Sequence, residues 1–304
     1  KNAYINLYEK PSYKSKISSQ VIYGEKFKIL TKKKGWLRIK TSFDKYVGYA
    51  KNIKYSNNFY NKNPYINLYE KPSYKSKISS QVIYGEKFKI LSKKKGWLKI
   101  KTSFDKYVGY TKNIKYSNEF LPTHKISVQK TNIFSFPKNS NKYKQKKKLP
   151  FASRIEILKK YKNFIMFEKN KWIYLKDIKK NNFKEKNFIK ILNLFINSKY
   201  KWGGKTFDGI DCSALVQMYY FYNNKYFPRD TKDQIKIKKG LKNSNNLKKG
   251  NIIYWKGHVA VCINSKKLIH AYGPRKKVLI MNIKNTIKII DKTADLKVKK
   301  ITKI

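Results

Sequence analysis

Residues 200–216 carry the strongest structural signal in the chain, and they read Tyr-Lys-Trp-Gly-Gly-Lys-Thr-Phe-Asp-Gly-Ile-Asp-Cys-Ser-Ala-Leu-Val. The glycines predict a turn that leads into Cys212, and Leu215, Val216 and Tyr219 then recur at helical spacing. Cys212 is therefore expected to open an amphipathic helix. A thiol there faces unpaired backbone N–H groups and the positive end of the helix dipole, which predicts a pKa below the ordinary value of about 8.5. We expect Cys212 to be a nucleophile.

A cysteine nucleophile needs a base, and the chain has three histidines, His124, His258 and His270. Residues 252–263 are expected to form a strand that contains His258, and residues 268–272 the next strand, with His270. Adjacent antiparallel strands can place two side chains side by side. One imidazole would accept the thiol proton, and the other would fix its tautomer and orientation. His124 is expected to be a linker residue.

These motifs carry a resemblance to the NlpC-type cysteine peptidases, papain-like enzymes that cut bacterial cell-wall peptides, over roughly residues 184–290. The pattern Tyr-x-Trp-Gly-Gly followed by Gly-x-Asp-Cys-Ser-x-Leu-Val resembles the nucleophile motif of that family. Residues 257–261 resemble its base motif and residues 268–271 its third-residue motif, while residues 228–231, Pro-Arg-Asp-Thr, resemble another family motif. The resemblance implies that Cys212 is the nucleophile, His258 the base and His270 the orienting residue. It assigns four more residues to the oxyanion or substrate site, namely Tyr200, Trp202, Asp211 and Ser213.

The first half of the chain is a tandem repeat. Residues 1–59 and 62–120 differ at only five aligned pairs, at a period of 61 residues. Each copy has about five short apolar runs broken by turn residues, which predicts a small barrel, and the near-identity indicates a duplicated domain. The runs Tyr23-Gly24-Glu25, Gly35-Trp36 and Tyr46-Val47-Gly48-Tyr49 resemble bacterial SH3-like domains.

The predicted fold class is multidomain, with three small all-β SH3-like barrels before an α+β papain-like catalytic domain. We expect copies at residues 1–61 and 62–121, a diverged third copy at 122–180 and the catalytic domain at 184–304. This order resembles dipeptidyl-peptidase-like enzymes, in which an SH3-like domain narrows one end of the cleft and favours short peptides with a free amino terminus. By chain order, the second copy is expected to flank the cleft.

The net charge of +56 raises the possibility of polyanion binding. The lysines, however, are spread through every domain and far outnumber the arginines, whose planar fork suits phosphate better. We therefore expect no specific nucleic-acid partner, although the charge should attract acidic peptides. The apolar runs are too short for a membrane span. The sequence leaves the oligomeric state open.

Cysteine usage bears on redox chemistry and compartment. Cys262 lies among apolar strand residues and is expected in the core, so that no disulfide joins it to Cys212. Unpaired thiols favour the cytoplasm. The sequence begins at Lys1 and not at Met, which leaves a periplasmic or wall-associated protein with a removed leader as the alternative. The histidines and cysteines lack zinc-ligand spacing, so we expect neither a metal nor another cofactor.

The function expected from this sequence is hydrolysis of γ-D-glutamyl to diamino-acid bonds in peptidoglycan stem peptides, which would be its partners. Three alternatives stand beside it. One is an amidase or acyltransferase with the same cysteine chemistry, one a non-catalytic wall-binding protein, and one a polyanion-binding protein.

Overall fold

The computed structural model describes residues 4–22, 24–51, 58–237, 239–241 and 246–304. Tyr23, which belongs to one of the motifs quoted above, lies outside these ranges. The chain divides into two compact units, Lys1–Asn57 and Asn58–Ile304. The two units are taken separately below.

The first β unit (residues 4–51) is a five-stranded antiparallel sheet in the order β2-β1-β5-β4-β3. Alternate residues of its strands, Leu7, Val21, Leu37 and Ile39 among them, point inward and form its core. Strands β3 and β4 meet at Lys34-Gly35, where both residues have positive φ, as a two-residue hairpin turn requires. The strands are β1 (Tyr4–Tyr8), β2 (Ile17–Ile22), β3 (Phe27–Lys33), β4 (Trp36–Thr41) and β5 (Val47–Lys51).

The second β unit (residues 58–117) repeats this strand order in β7 to β11 and adds two short strands, β6 and β12, beyond β9 at one edge of the sheet. Strand β6 pairs with β9 and β12, although the repeat period assigns its residues to the first copy. Asn61 at the end of β6 is fully buried and donates to Val82 O at 3.0 Å. The strands are β6 (Asn58–Asn61), β7 (Tyr65–Tyr69), β8 (Ile78–Ile83), β9 (Lys87–Lys94), β10 (Trp97–Thr102), β11 (Val108–Lys112) and β12 (Tyr116–Ser117).

The third β unit (residues 124–180) has the same order again, β15-β14-β19-β18-β17, with a three-stranded sheet of β16, β13 and β20 beside it. His124 is not a linker residue, because it pairs in β13 with both Ile155 and Lys180. The strands are β13 (His124–Ile126), β14 (Lys130–Phe134), β15 (Lys144–Pro150), β16 (Arg154–Ile155), β17 (Lys159–Tyr161), β18 (Phe164–Glu168), β19 (Lys171–Tyr174) and β20 (Ile178–Lys180).

The C-terminal domain (residues 188–304) packs helices against an antiparallel sheet in the order β26-β25-β24-β23-β27. Helix α2 contributes more residues than any other element to the core that faces this sheet. The elements are α1 (Phe188–Asn193), β21 (Lys205–Thr206), β22 (Gly209–Ile210), α2 (Cys212–Tyr222), α3 (Thr231–Ile237), β23 (Asn251–Trp255), β24 (His258–Cys262), β25 (Lys267–Tyr272), β26 (Lys277–Asn282), α4 (Ile283–Ala294) and β27 (Lys300–Lys303).

The architecture predicted from the sequence, small all-β units followed by an α+β domain, is confirmed. One prediction within the last domain is wrong, because residues 252–263 form two strands and not one. Trp255 pairs with His258 across a two-residue turn in which Gly257 has a φ of 76°. A side chain with a Cβ strains this backbone conformation, which is why the chain reverses at glycine. The reversal brings His258 to the start of β24.

The second β unit is built into the C-terminal domain. Ile83 lies in the same buried cluster as residues of α2. A Cβ on Gly203 would lie 2.5 Å from the carbonyl oxygen of Ile78, so only glycine lets the two backbones approach this closely. In the described part of the chain, every helix is too short or too polar to cross a lipid bilayer.

Candidate active site

Cys212 is the first residue of helix α2, as the sequence predicts. Asp211 is the N-cap, and its carboxylate accepts from the backbone N–H of Ala214 at 2.8 Å. The preceding turn leads from the two glycines into the short hairpin of β21 and β22. This connection holds the Cys212 side chain at the point where the helix meets the sheet.

Asp211 is held by Arg229 in a buried ion pair. The Arg229 guanidinium donates to both carboxylate oxygens of Asp211, at 3.0 and 2.6 Å, and to Ser213 Oγ at 2.9 Å. It also donates to Ser80 Oγ of the second β unit at 3.1 Å. Asp211 therefore fixes the start of α2 rather than standing free for substrate. Sequence reasoning placed Arg229 in a motif but assigned it no role, although only four of the 73 basic residues are arginines.

Cys212 lines a cavity of about 290 Å³ within the second compact unit. Five of the residues singled out from the sequence line it together, which are Cys212, Tyr200, Trp202, Asp211 and Ser213. Trp202 is the most exposed of them, at 62%. The second β unit supplies a wall from Glu70, Ser79 and Tyr107. The second copy thus flanks the cavity that contains Cys212, as the chain order predicts.

The protonation state of Cys212 differs from the sequence-based expectation. Burial above all, and then the nearby Asp211 carboxylate, raise the pKa of the Cys212 thiol to about 12. Backbone N–H groups of Val259 and Ser213 point at the sulfur and lower the pKa, but they do not outweigh burial. The resting site therefore holds a thiol and not a thiolate. Attack requires a base that removes the proton as the bond forms.

His258 is placed to act near this thiol. The Cys212 Sγ lies 4.0 Å from the carbonyl oxygen of Gly257, which precedes His258. His258 Nε2 lies 3.0 Å from His270 Nδ1 across the paired strands β24 and β25. Burial lowers the pKa of His258 to about 4 and, together with the His258 charge, that of His270 to about 3. Both rings are neutral at pH 7, the form that a general base needs.

Met281 favours one tautomer for each of the two histidines. His270 Nε2 lies 3.2 Å from Met281 Sδ, and a thioether can only accept. This contact favours hydrogen on His270 Nε2, and in that tautomer His270 Nδ1 accepts from His258 Nε2–H. This arrangement leaves His258 Nδ1 with a lone pair, as proton abstraction from Cys212 requires. The sequence identifies both histidines but not Met281, whose place beside His270 comes from the register of β25 and β26.

Replacing Met281 by leucine should lower kcat by about tenfold with little change in KM. Leucine offers no acceptor, so His270 can turn to the tautomer that leaves His258 Nδ1 protonated. The matched control is Met218→Leu, since Met218 is fully buried in α2 and the exchange nearly conserves volume. Steady-state kinetics and thermal unfolding of both variants give the comparison. Equal losses of activity in the two variants at equal stability would rule out the tautomer role.

Tyr200 is suited to donate a hydrogen bond. Burial, the Cys212 sulfur and the Asp211 carboxylate all raise the pKa of its phenol far above the usual range. Tyr200 therefore stays protonated beside the nucleophile and can donate to an oxyanion. Cys262, the other cysteine, is free and fully buried in β24, as expected for a core residue. No group of three potential metal ligands occurs among the residues described.

The comparisons with known protein families divide the chain in the same places. Residues 197–292 match the sequence profile of the NlpC/P60 family. Residues 7–52 and 68–113 each match the bacterial dipeptidyl-peptidase Sh3 domain. These two segments correspond to the first and second β units, and the NlpC/P60 match contains Cys212, His258 and His270.

Individual proteins show the same similarity over longer segments. The chain is 24% identical over 231 residues to dipeptidyl-peptidase 6 of Lysinibacillus sphaericus, which covers 67% of this chain and 84% of that protein. It is 22% identical over 233 residues to the γ-D-glutamyl-L-lysine dipeptidyl-peptidase of Bacillus subtilis, covering 69% and 77%. A crystal structure of an NlpC/P60 family protein from Bacillus cereus shares the fold, with a TM-score of 0.64 at 18% identity over 74% of this chain and 94% of that one.

Proposed function

Since residues 197–292 are an NlpC/P60 domain preceded by bacterial dipeptidyl-peptidase SH3 domains, the protein is a cysteine-type peptidase, and we propose that it cleaves γ-D-glutamyl to diamino-acid bonds in peptidoglycan stem peptides. The general activity in this proposal is hydrolysis of peptidoglycan peptides. It is supported by the names of both dipeptidyl-peptidase relatives. Cleavage of the γ-D-glutamyl bond in particular is supported by the residues that line the cavity.

The observation that carries the proposal is the composition of the Cys212 cavity, in which nucleophile and substrate-binding groups come from two different domains. Glu70, Ser79 and Tyr107 stand on the second β unit, and Cys212 stands on the C-terminal domain. Because the second β unit walls the cavity that holds Cys212, it limits the length of the peptide that fits on its side of the nucleophile. The arrangement favours release of a short fragment from one end of a peptide.

The charges of the cavity indicate which end is held. In a chain of net charge +56, the cavity is lined by the carboxylates of Glu70, Asp230 and the already paired Asp211. Glu70 and Asp230 can therefore receive a cation, and the free amino terminus of a peptide is one. Lys232 in the same lining can meet a carboxylate. A γ-linked glutamyl residue offers its free α-carboxylate, which an ordinary peptide link would have consumed.

The reaction follows from the geometry of the neutral pair. His258 Nδ1 takes the Cys212 proton as Sγ attacks the scissile carbonyl carbon, and Tyr200 and the Cys212 N–H stabilise the oxyanion. The protonated His258 then gives its proton to the leaving amine, and an acyl-enzyme thioester remains. Water, deprotonated by His258, attacks the thioester and releases the acid, which restores the thiol. His270 keeps the His258 ring oriented throughout.

We expect L-Ala-γ-D-Glu-diamino acid peptides to be cleaved after D-glutamate, and their N-acetylated forms to be cleaved at least about tenfold more slowly in kcat/KM. Acetylation removes the cation that Glu70 and Asp230 would bind. Products of both peptides are identified by mass spectrometry. In the variant Glu70→Gln, the ratio of kcat/KM between the free and the acetylated peptide should fall. In the matched control Glu9→Gln, at the equivalent position of the first β unit, this ratio should stay unchanged. Equal turnover of free and acetylated peptides contradicts the proposal.

A further inference from the structure

The second β unit binds the C-terminal domain through one continuous face. Glu86 forms a buried ion pair with Lys205 Nζ, at 3.1 Å from both carboxylate oxygens, and Gln81 Oε1 accepts from Lys205 N at 2.8 Å. Phe104 packs edge-on against Phe221, with ring centroids 4.7 Å apart. We call this the docking face, and it consists of Ile78, Ser80, Gln81, Ile83, Glu86 and Phe104.

The first β unit carries the same face, residue for residue. Its members at a spacing of 61 are Ile17, Ser19, Gln20, Ile22, Glu25 and Phe43. The five positions at which the copies differ are elsewhere, at Ala3/Pro64, Thr31/Ser92, Arg38/Lys99, Ala50/Thr111 and Asn58/Glu119. None of them takes part in the contacts of the docking face. The strand order of the two units is also the same, so the backbone presents these side chains in the same arrangement.

Within the first β unit itself, the corresponding residues are left exposed. Ile22 is 65% exposed, whereas its counterpart Ile83 is fully buried. Phe43 is 91% exposed, and Gln20 is exposed where Gln81 is buried. Single exposed hydrophobic residues are common on protein surfaces. Here, however, Ile17, Ile22 and Phe43 surround polar residues whose counterparts in the second β unit bind a defined surface of the C-terminal domain. The complement is the surface around Lys205.

We propose that the docking face of the first β unit binds the C-terminal domain of a second copy of this chain, at the surface around Lys205. Glu25 takes the place of Glu86 against Lys205, and Phe43 that of Phe104 against Phe221. The charges and shapes match because the residues are identical. Such a contact joins different surfaces of the two partners, so it is heterologous and extends head to tail.

The contact is latent in the intact chain, because the second β unit already covers Lys205 in its own chain. That unit has further contacts with the third β unit, since Tyr84 OH donates to Glu168 at 2.7 Å and Tyr84 O accepts from Arg154 N at 3.0 Å. These contacts favour the second unit over an incoming first unit. To bind there, an incoming first unit has to displace the second unit of the partner chain from Lys205.

The test is binding between two full-length chains, measured by biolayer interferometry with the acceptor immobilised. The acceptor is Glu25→Lys/Glu86→Lys, in which both of its own docking faces set a cation against Lys205. The donor is the unaltered chain, and the matched control donor is Glu25→Lys. We expect the unaltered donor to bind at least about tenfold more tightly than the control, because removing one partner of a buried ion pair costs far more than the pair contributes. Circular dichroism and thermal melts establish that the acceptor is folded.

A second acceptor reverses the charges and guards against misfolding of the first. In Lys205→Glu, the acceptor repels its own Glu86 and Glu25, and it should now prefer the Glu25→Lys donor over the unaltered one. A preference that switches between the two acceptors supports the proposal, and neither result depends on peptidase activity. Donors that bind both acceptors equally, or do not bind either, overturn it.

Discussion

Replacing Cys212 by alanine should reduce peptide hydrolysis at least about 10³-fold, to the level that binding and oxyanion contacts alone support. Cys212 opens α2 and lines the cavity, and no other described residue of the cavity carries a thiol. The matched variant is Cys262→Ala. Cys262 is fully buried in β24, so its loss should cost about 1–2 kcal/mol of unfolding free energy and leave most of the activity.

Both variants are compared with the unaltered protein by turnover of a stem peptide and by denaturant unfolding. If Cys262→Ala loses as much activity as Cys212→Ala while both remain folded, the assignment of the nucleophile is wrong. Trapping of the thioester with a slow substrate gives independent evidence, because only a chain with Cys212 can carry the added mass.

Replacing Arg229 by methionine should lower the free energy of unfolding by about 3–5 kcal/mol, because it leaves the Asp211 carboxylate buried without its partner. Arg229 also joins the start of α2 to Ser80. The variant should therefore lose order at the N-terminus of α2 along with stability. Activity should fall as well, since Asp211 sets the position of Cys212.

Arg275→Met is the matched control, because Arg275 is exposed and should change stability by less than about 0.5 kcal/mol. Urea unfolding followed by tryptophan fluorescence measures both. A loss below about 1 kcal/mol in Arg229→Met would show that the Asp211 carboxylate can be solvated when its partner is gone. The double variant Asp211→Asn/Arg229→Met should recover part of the stability, since no charge is then left buried.

Local patterns in the sequence predict much of the fold. The repeat predicts the five strands of the first β unit, and the apolar periodicity after Cys212 predicts α2. Both rest on short-range preferences that the residues themselves carry. The hairpin at Gly257 is not predicted, because residues 252–263 are mostly apolar on both sides of the short Lys-Gly turn and resemble one continuous strand. The strand pairing of His124 is not predicted either, because that pairing depends on residues 31 and 56 positions away, Ile155 and Lys180.

Some residues of the site can be predicted from the sequence and others cannot. Cys212, His258 and His270 follow from motifs, whereas Met281 and Glu70 do not. Arg229 stands in a motif, but its pairing with Asp211 is visible only in the fold. The pKa of Cys212 is the clearest case. Its position at a helix N-terminus predicts a lowered pKa, but the surrounding packing buries the thiol and raises it. Helix position is visible in a sequence, and the amount of water around a side chain is not.

The buried pair of Lys205 and Glu86 constrains how this protein can be made. A ribosome releases the chain from its amino terminus, so Glu86 emerges 119 residues before Lys205 needs it. The peptidase portion thus folds last, onto a surface that is already assembled. With the order of domains reversed, a newly made peptidase portion would leave Lys205 and the apolar residues around it exposed until the second β unit was made. A fusion that moved the peptidase portion alone would therefore leave this surface open to solvent.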